Sequence, residues 1–212
     1  MSVSQMRTAY RQGRLDPGSL GDDPFATLRS WIEQAADAGT IEPNAMALAT
    51  VGEDGRPSLR MVLCKGVDAR GLTFYTHAGS RKGQELRRRP IAAATFWWER
   101  LERQVRVEGP VEQVPAEEAD AYFASRPRGS QIGAWASPQS RPVEDRAALE
   151  TAAAEAQARF PEETPVPRPP GWVGFRVAPT RIEFWQGREN RLHDRIVFTR
   201  AEGGWETERL AP

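Results

Sequence analysis

The chain has 212 residues, enough for one domain with a core of its own. Its 39% hydrophobic and 27% charged content is that of a globular protein and excludes an intrinsically disordered one. The 29 Lys and Arg offset 29 Asp and Glu, which argues against a general nucleic-acid binder, so any local Arg cluster needs a specific explanation.

Residues 1–20 form a polar arm containing Arg7, Tyr10, Arg11 and Arg14, which the sequence alone does not order. Asp23-Pro24 reads as an N-cap followed by proline at the first helical position. Phe25, Leu28, Ile32 and Ala35 then share one helical face, and Gly39 can stop the helix. Strands are predicted over Ala45–Val51, 57–67 and 72–76, with turns at 52–55 and 68–71. These connections are too short for parallel crossovers, so the segment reads as an antiparallel meander. Ser80 can cap a short helix over 81–89, ended by Pro90. Ile91–Trp98 and 101–114 read as another strand pair.

A helix opens at Pro115 and runs to about residue 125, followed by a turn at 127–129. Pro142 opens another helix, with Leu149, Ala153, Ala156 and Phe160 on one face. Residues 161–170 are proline-rich and read as an extended connector within one domain. Strands over Trp172–Val177, 181–185, 192–199 and 205–210 complete the chain, the last two joined by a turn at Gly203-Gly204. Many strands with few, short helices argue for a closed or nearly closed antiparallel barrel.

The single cysteine, Cys64, rules out an internal disulfide and a zinc site of several thiolates, and reads as a small apolar core residue. No segment is long and apolar enough to span a bilayer, and the first residues lack the apolar run of a signal peptide, so a cytoplasmic location is expected. Two histidines without organised carboxylates are poor material for a metal site, and none is expected.

The cations fall into sets. Arg60, Lys65, Arg81 and Lys82 combine planar forks with mobile point charges and suit a phosphate, with the backbone N–H groups after Ser80 as further donors. Arg60 and Lys65 are an odd number apart, so a regular strand puts them on opposite faces. They can share a site only across a bulge or a strand end, or else they serve different ligands. Neither a dinucleotide-binding glycine motif nor a P-loop is present, so phosphate must be held mainly by side chains. Tyr122 and Arg126 share a helix face, with Ser130 just beyond the turn. The residues alone leave two readings open: a second phosphate grip, or a core-edge tyrosine with a cation at a helix C-terminus. Gln104, Gln139, Ser140 and Trp185 offer the polar edges and apolar face that a planar heterocyclic ring needs, though each is more often structural. Arg191, His193 and Arg195 stand at alternate positions. In an extended strand all three leave one face, while Leu192, Ile196 and Phe198 point into the core. Two cations flanking an imidazole suit a bound anion beside proton or hydride chemistry.

The run from Phe184 to Arg195, with Arg60-Met61-Val62-Leu63-Cys64-Lys65, Tyr75-Thr76, Ser80-Arg81-Lys82, the blocks at 101–105 and 125–137, Gln139-Ser140 and the final Arg209-Leu210-Ala211-Pro212, resembles the pyridoxamine (pyridoxine) 5′-phosphate oxidases in block order over nearly the whole chain. The resemblance implies a mainly β chain with peripheral helices (α+β), folded as the antiparallel split β-barrel that binds FMN. It implies a homodimer with FMN at the interface and sites lined by both chains. Arg60, Met61, Val62, Leu63, Cys64, Lys65, Tyr75, Thr76, Arg81, Lys82, Gln104, Gln139, Ser140, Trp185 and Arg195 would bind FMN. Lys65, Tyr122, Arg126 and Ser130 would grip the substrate phosphate, and Arg7 and Tyr10 would close over the substrate from a mobile arm. Arg191 and His193 would act at the reacting side. The implied reaction oxidises pyridoxamine or pyridoxine 5′-phosphate with O2 to pyridoxal 5′-phosphate, releasing H2O2, and NH3 from the amine.

Three other readings compete. Another oxidoreductase on the same barrel, using a deazaflavin or acting in phenazine biosynthesis, should lack the combined Tyr122/Arg126/Ser130 and Arg191/His193 sets. A flavin-storage protein would bind flavin without turnover. A nucleic-acid binder using the Arg-rich helix would bind in a salt-sensitive way.

Overall fold

Apolar side chains at every second position give this chain strands with one buried face, and those faces close on each other. A computed structural model describes residues 2–6 and 8–212. The elements are α1 (Pro24–Asp37), β1 (Ala45–Val51), β2 (Pro57–Leu63), β3 (Gly66–Asp68), β4 (Gly71–His77), α2 (Arg81–Arg88), β5 (Ile91–Trp98), β6 (Arg103–Gln113), α3 (Ala116–Ala124), α4 (Arg128–Ala136), α5 (Arg146–Arg159), β7 (Trp172–Val177), β8 (Arg181–Gln186), β9 (Asp194–Ala201) and β10 (Gly204–Arg209).

All pairings are antiparallel, in the order β10-β9-β8-β6-β5-β1-β2, with β7 joining β6 to β4 and β4 pairing β3. The sheet curls into a half-barrel, the split barrel expected from the sequence. Strand β6 is the hinge of the split. Its residues Arg103–Glu108 pair with β8, and Val111, Glu112 and Gln113 pair with β7. At the change-over the β7–β8 connection crosses over Gly109, where any side chain would run into the Ala178 carbonyl. Pro110 has no N–H to place in a ladder, but its carbonyl accepts from the Ala178 N–H at 2.8 Å.

The inner faces bury Met46, Leu48, Leu72, Phe74, Phe96, Trp98, Val105, Val107, Ile182, Phe184, Ile196 and Phe198. Helix α1 closes one side of this core. Asp23 caps it by accepting the Phe25 N–H at 2.9 Å, as read from the sequence, and its buried face carries Trp31 with Phe25, Leu28 and Ala35. A smaller second core joins Phe123, Ile132, Ala156, Phe160 and Trp172, with Val166 of the 161–170 connector packed into it. Strand β7 lies between the two cores and is buried at all six positions.

Three sequence expectations change. The single strand over 57–67 is broken at Cys64-Lys65 into β2 and β3. The turn at 127–129 is instead the start of α4, which places Ser130 in a first helical turn. The helix expected to open at Pro142 starts after Asp145, whose carboxylate accepts the Ala148 N–H at 2.8 Å.

Phe184 is fully buried between Trp31, at a 5.1 Å ring separation, and Phe198, at 5.7 Å. Phe184→Ala is expected to destabilise the fold by about 3–5 kcal/mol, read from the midpoint of urea denaturation.

Candidate active site

The first cluster gathers at the start of α2. Ser80 caps that helix by accepting the Gly83 N–H at 3.2 Å. Arg81, Lys82, Arg60 of β2 and Ser140 line a cavity of about 360 Å³. The Lys82 ammonium donates to Thr76 Oγ1 and Gln139 Oε1, both at 3.1 Å, and Thr76 donates to Gln139 at 2.6 Å. Burial, with the nearby Arg60 charge, lowers the Lys82 pKa from its ordinary value. Arg60 is turned inward. Its Nη1 donates to the Leu48 carbonyl and Thr50, and its Nη2 to Ser58 and Glu85. Its four terminal hydrogens are therefore committed, and it offers the cavity its charge more than its fork. Arg81 donates Nε to Glu85 at 2.9 Å.

A strand end does fall between Arg60 and Lys65, but it does not bring them to one cavity. The Cys64 N–H bonds the Asn44 carbonyl at 2.9 Å, and the next N–H, that of Lys65, bonds Thr73 at 2.7 Å. The backbone thus changes partner strand between two residues. Lys65 is exposed and lines neither this cavity nor the next. Of the other residues here, Met61 is exposed, Leu63 shares its outer face, and Val62 packs on the core. Cys64 is buried, and burial pushes its thiol up to about 11, so it acts as the core residue expected.

A second cavity of about 270 Å³ is lined by Gln139, whose Oε1 accepts from Lys82 of the first, and by Arg126, Ser130, His77 and Trp172. The Arg126 guanidinium lies 5.1 Å from the Trp172 ring centre, and its Nη1 is buried without a hydrogen-bond partner among the described residues. Such a group is costly unless a ligand completes it. Tyr122 does not line this cavity. It stacks on Tyr75 at 4.1 Å, and Tyr75 stacks in turn on Trp172 at 4.9 Å. The rings of both tyrosines are therefore committed to each other and to Trp172.

The third cluster lies at the far end of the sheet. Tyr10, Trp185, Arg191 and His193 line a cavity of about 430 Å³. Tyr10 meets Trp185 edge-on at 5.8 Å, and Trp185 lies 4.6 Å from His193. The alternation expected of Arg191, His193 and Arg195 is not how they are placed. Asn190 and Arg191 have left-handed φ of 56° and 62°, the strand begins only at Asp194, and Leu192 is 68% exposed instead of entering the core. Ile196 and Phe198 are buried as expected. Arg191 and His193 still reach one cavity because the turn carries them there. Arg195 is held apart, gripping Glu183 at 2.9 and 3.0 Å. It continues a cross-strand row, Trp97 opposite Gln104, Gln104 opposite Trp185, and Trp185 opposite Arg195.

The arm reaches this end. Arg11 pairs with Glu189 at 2.6 Å, and the Leu15 N–H donates to Asp194 at 3.1 Å. Arg7 lies outside the described residues.

His193 Nδ1 accepts the Arg188 N–H at 3.1 Å, so the neutral ring carries its proton on Nε2. Burial first, and the Arg191 charge second, lower its pKa, against a raising effect of Asp194. The ring is therefore expected to stay neutral to lower pH than an ordinary histidine. An NMR titration should place its midpoint below 6.5, and Arg191→Ala should move it upward.

The first two cavities share no lining residue with the third. Strands β2 and β8 are separated by β1, β5 and β6. At about 4.8 Å per ladder the separation measured along the sheet is on the order of 19 Å. His77, a loop residue by the sequence, ends β4 and lines the second cavity, while Glu85, beside the first, escaped the sequence reading. The signal Glu85 carried was its i,i+4 spacing from Arg81.

Residues 32–160 match the family model described as pyridoxamine 5′-phosphate oxidase, and 172–212 match that of the pyridoxine 5′-phosphate oxidase C-terminal dimerisation region. A pyridoxine/pyridoxamine 5′-phosphate oxidase of Synechocystis is 54% identical over 212 residues, covering 100% of this chain and 99% of that one. The crystal structure of PhzG from Burkholderia lata, in complex with tetrahydrophenazine-1-carboxylic acid, superposes with a TM-score of 0.87 at 35% identity, over 94% of this chain and 98% of that one. An FMN-binding protein of Nostoc punctiforme related to pyridoxamine 5′-phosphate oxidase shares the fold, with a TM-score of 0.71 at 18% identity over 94% of this chain and 100% of that one.

Proposed function

The chain belongs to the pyridoxine/pyridoxamine 5′-phosphate oxidase family, and from that premise we infer that it oxidises pyridoxine and pyridoxamine 5′-phosphates to pyridoxal 5′-phosphate. The observation that carries this reading is the pair of cationic cavities linked through Gln139, which lines the second and accepts from Lys82 of the first, the second also holding a buried arginine nitrogen without a partner among the described residues. Two linked anion sites suit two phosphate monoesters, one on a cofactor and one on a substrate.

The donor set of the first cavity fits FMN. Arg81, Lys82 and Ser140 would hold its phosphate, with Arg60 adding charge, and Gln104, Trp185 and Arg195 would meet its ring. Bound FMN supplies an acceptor for hydride from C4′ of the substrate and passes the electrons to O2, giving H2O2. The protein positions the reactants. Arg126 and Ser130 hold the substrate phosphate, Trp185 and Tyr10 exclude water, and Arg191 orients the reacting side. His193, neutral and protonated on Nε2, can donate a hydrogen bond there. The arm is proposed to open for substrate entry.

The distance between the cavities fits a homodimer in which each site takes one half from each chain. Leu59, Met61, Ile91 and Trp97 form an exposed apolar strip on the outer sheet face, where such a contact would form.

The test is the absorbance spectrum of the purified protein, followed by anaerobic addition of pyridoxine 5′-phosphate. Bleaching of a flavin band is the expected result. A yellow protein that does not bleach would reduce the reading to flavin binding, and a colourless one that takes up no FMN would end it.

A further inference from the structure

Glu85 is a buried carboxylate beside the first cavity, and the reading above gives it no task. It stands one helical turn after Arg81, on the same face of α2. Its Oε2 accepts from Thr50 at 2.5 Å, Ser58 at 2.6 Å and Arg60 Nη2 at 3.2 Å, and its Oε1 accepts from Arg81 Nε at 2.9 Å. The Arg81 side chain is otherwise 65% exposed, so Glu85 is what restrains it. Gripping Arg81 by Nε leaves the Nη pair free to face an anion. The carboxylate also partly balances Arg60, Arg81 and Lys82, leaving a net charge close to that needed by a phosphate monoester dianion.

We propose that Glu85 is a positioning residue for the cofactor phosphate: it anchors Arg81 and Arg60 so that the cavity is shaped for a phosphate monoester before the ligand arrives. The inference rests on the flavin reading of this cavity. Against the raising effect of burial, both hydroxyl hydrogen bonds and the arginines hold the carboxyl well below its ordinary range, at about 2, so it is charged at neutral pH. Removing its charge also strengthens the pull on an anion. The cavity opens to solvent, which screens that gain, whereas the orientation of the Arg81 fork is lost outright.

The experiment strips flavin from the full-length protein and titrates FMN and riboflavin separately by fluorescence quenching. Glu85→Gln is expected to weaken FMN about tenfold and leave riboflavin unchanged, because only FMN carries the phosphate. Equal losses for both ligands would make Glu85 merely structural and overturn the proposal. FMN binding that is unchanged or tighter would overturn it too, while leaving the flavin reading intact. A wild-type protein that binds neither ligand would remove both. If Glu85→Gln does not fold, Ser58→Ala replaces it. A smaller loss confined to FMN is expected there, and an unchanged ratio of FMN to riboflavin affinity overturns the proposal.

Discussion

Arg191→Ala is expected to lower kcat/KM for pyridoxine 5′-phosphate on the order of 100-fold while flavin per chain stays at the wild-type level. Arg191 lines the Trp185 cavity and, among the described residues, makes no ion pair or side-chain hydrogen bond. Its guanidinium therefore has no structural duty to lose. Its backbone is left-handed at φ 62°, a conformation that costs a β-carbon residue about 1 kcal/mol or more and is kept where surrounding contacts impose it. Here they are Arg11 on Glu189 and Leu15 on Asp194, which brace the turn from the arm. Steady-state kinetics and the ratio of flavin to protein absorbance check the prediction together. Loss of flavin, or a change in kcat/KM below about threefold, would remove Arg191 from the reacting side.

The second large effect is a rescue. Arg126→Ala and Arg191→Ala should each be nearly inactive, because one empties the substrate-phosphate cavity and the other the cavity at the far end of the sheet. If a working site takes its Arg126 half from one chain and its Arg191 half from the other, a mixed dimer contains one site with both residues intact. Random pairing of equal amounts makes half of the dimers mixed, so about one quarter of wild-type activity should return. Co-expression with two affinity tags isolates the mixed dimer directly. Activity no greater than the mean of the two single variants would place both halves of the site in one chain. The Arg126 and Arg191 cavities share no lining residue, which argues against that outcome.

The strands were legible wherever one face is buried. Ala45–Val51 and Ile91–Trp98 fall where apolar pattern and turn signals put them, because burial is written into the sequence at strand period. Helix α4 was not legible. Gly129, Ser130 and Gly133 are poor helix formers, and the helix is held by tertiary contacts instead. Arg128 donates to the carbonyls of Phe160, Pro161 and Thr164, and Gln131 and Ile132 are buried. The Asn190-Arg191 turn was hidden for a similar reason. Nothing in the local composition demands a left-handed pair there, so the run read as more strand.

By itself, the sequence carried the pattern of an antiparallel barrel, scattered arginines and lysines of the kind that suit phosphate, an Arg–His pair two residues apart, and no motif for a nucleotide loop. Only the tertiary structure decided which of those cations are free to act. Arg60 spends its terminal hydrogens on Leu48, Thr50, Ser58 and Glu85, and Arg195 is held by Glu183, whereas Arg126 keeps a buried nitrogen without a partner among the described residues. Residue type sets how many donors a side chain has. Their allocation depends on groups brought close from distant parts of the chain, and that proximity exists only once the sheet has curled.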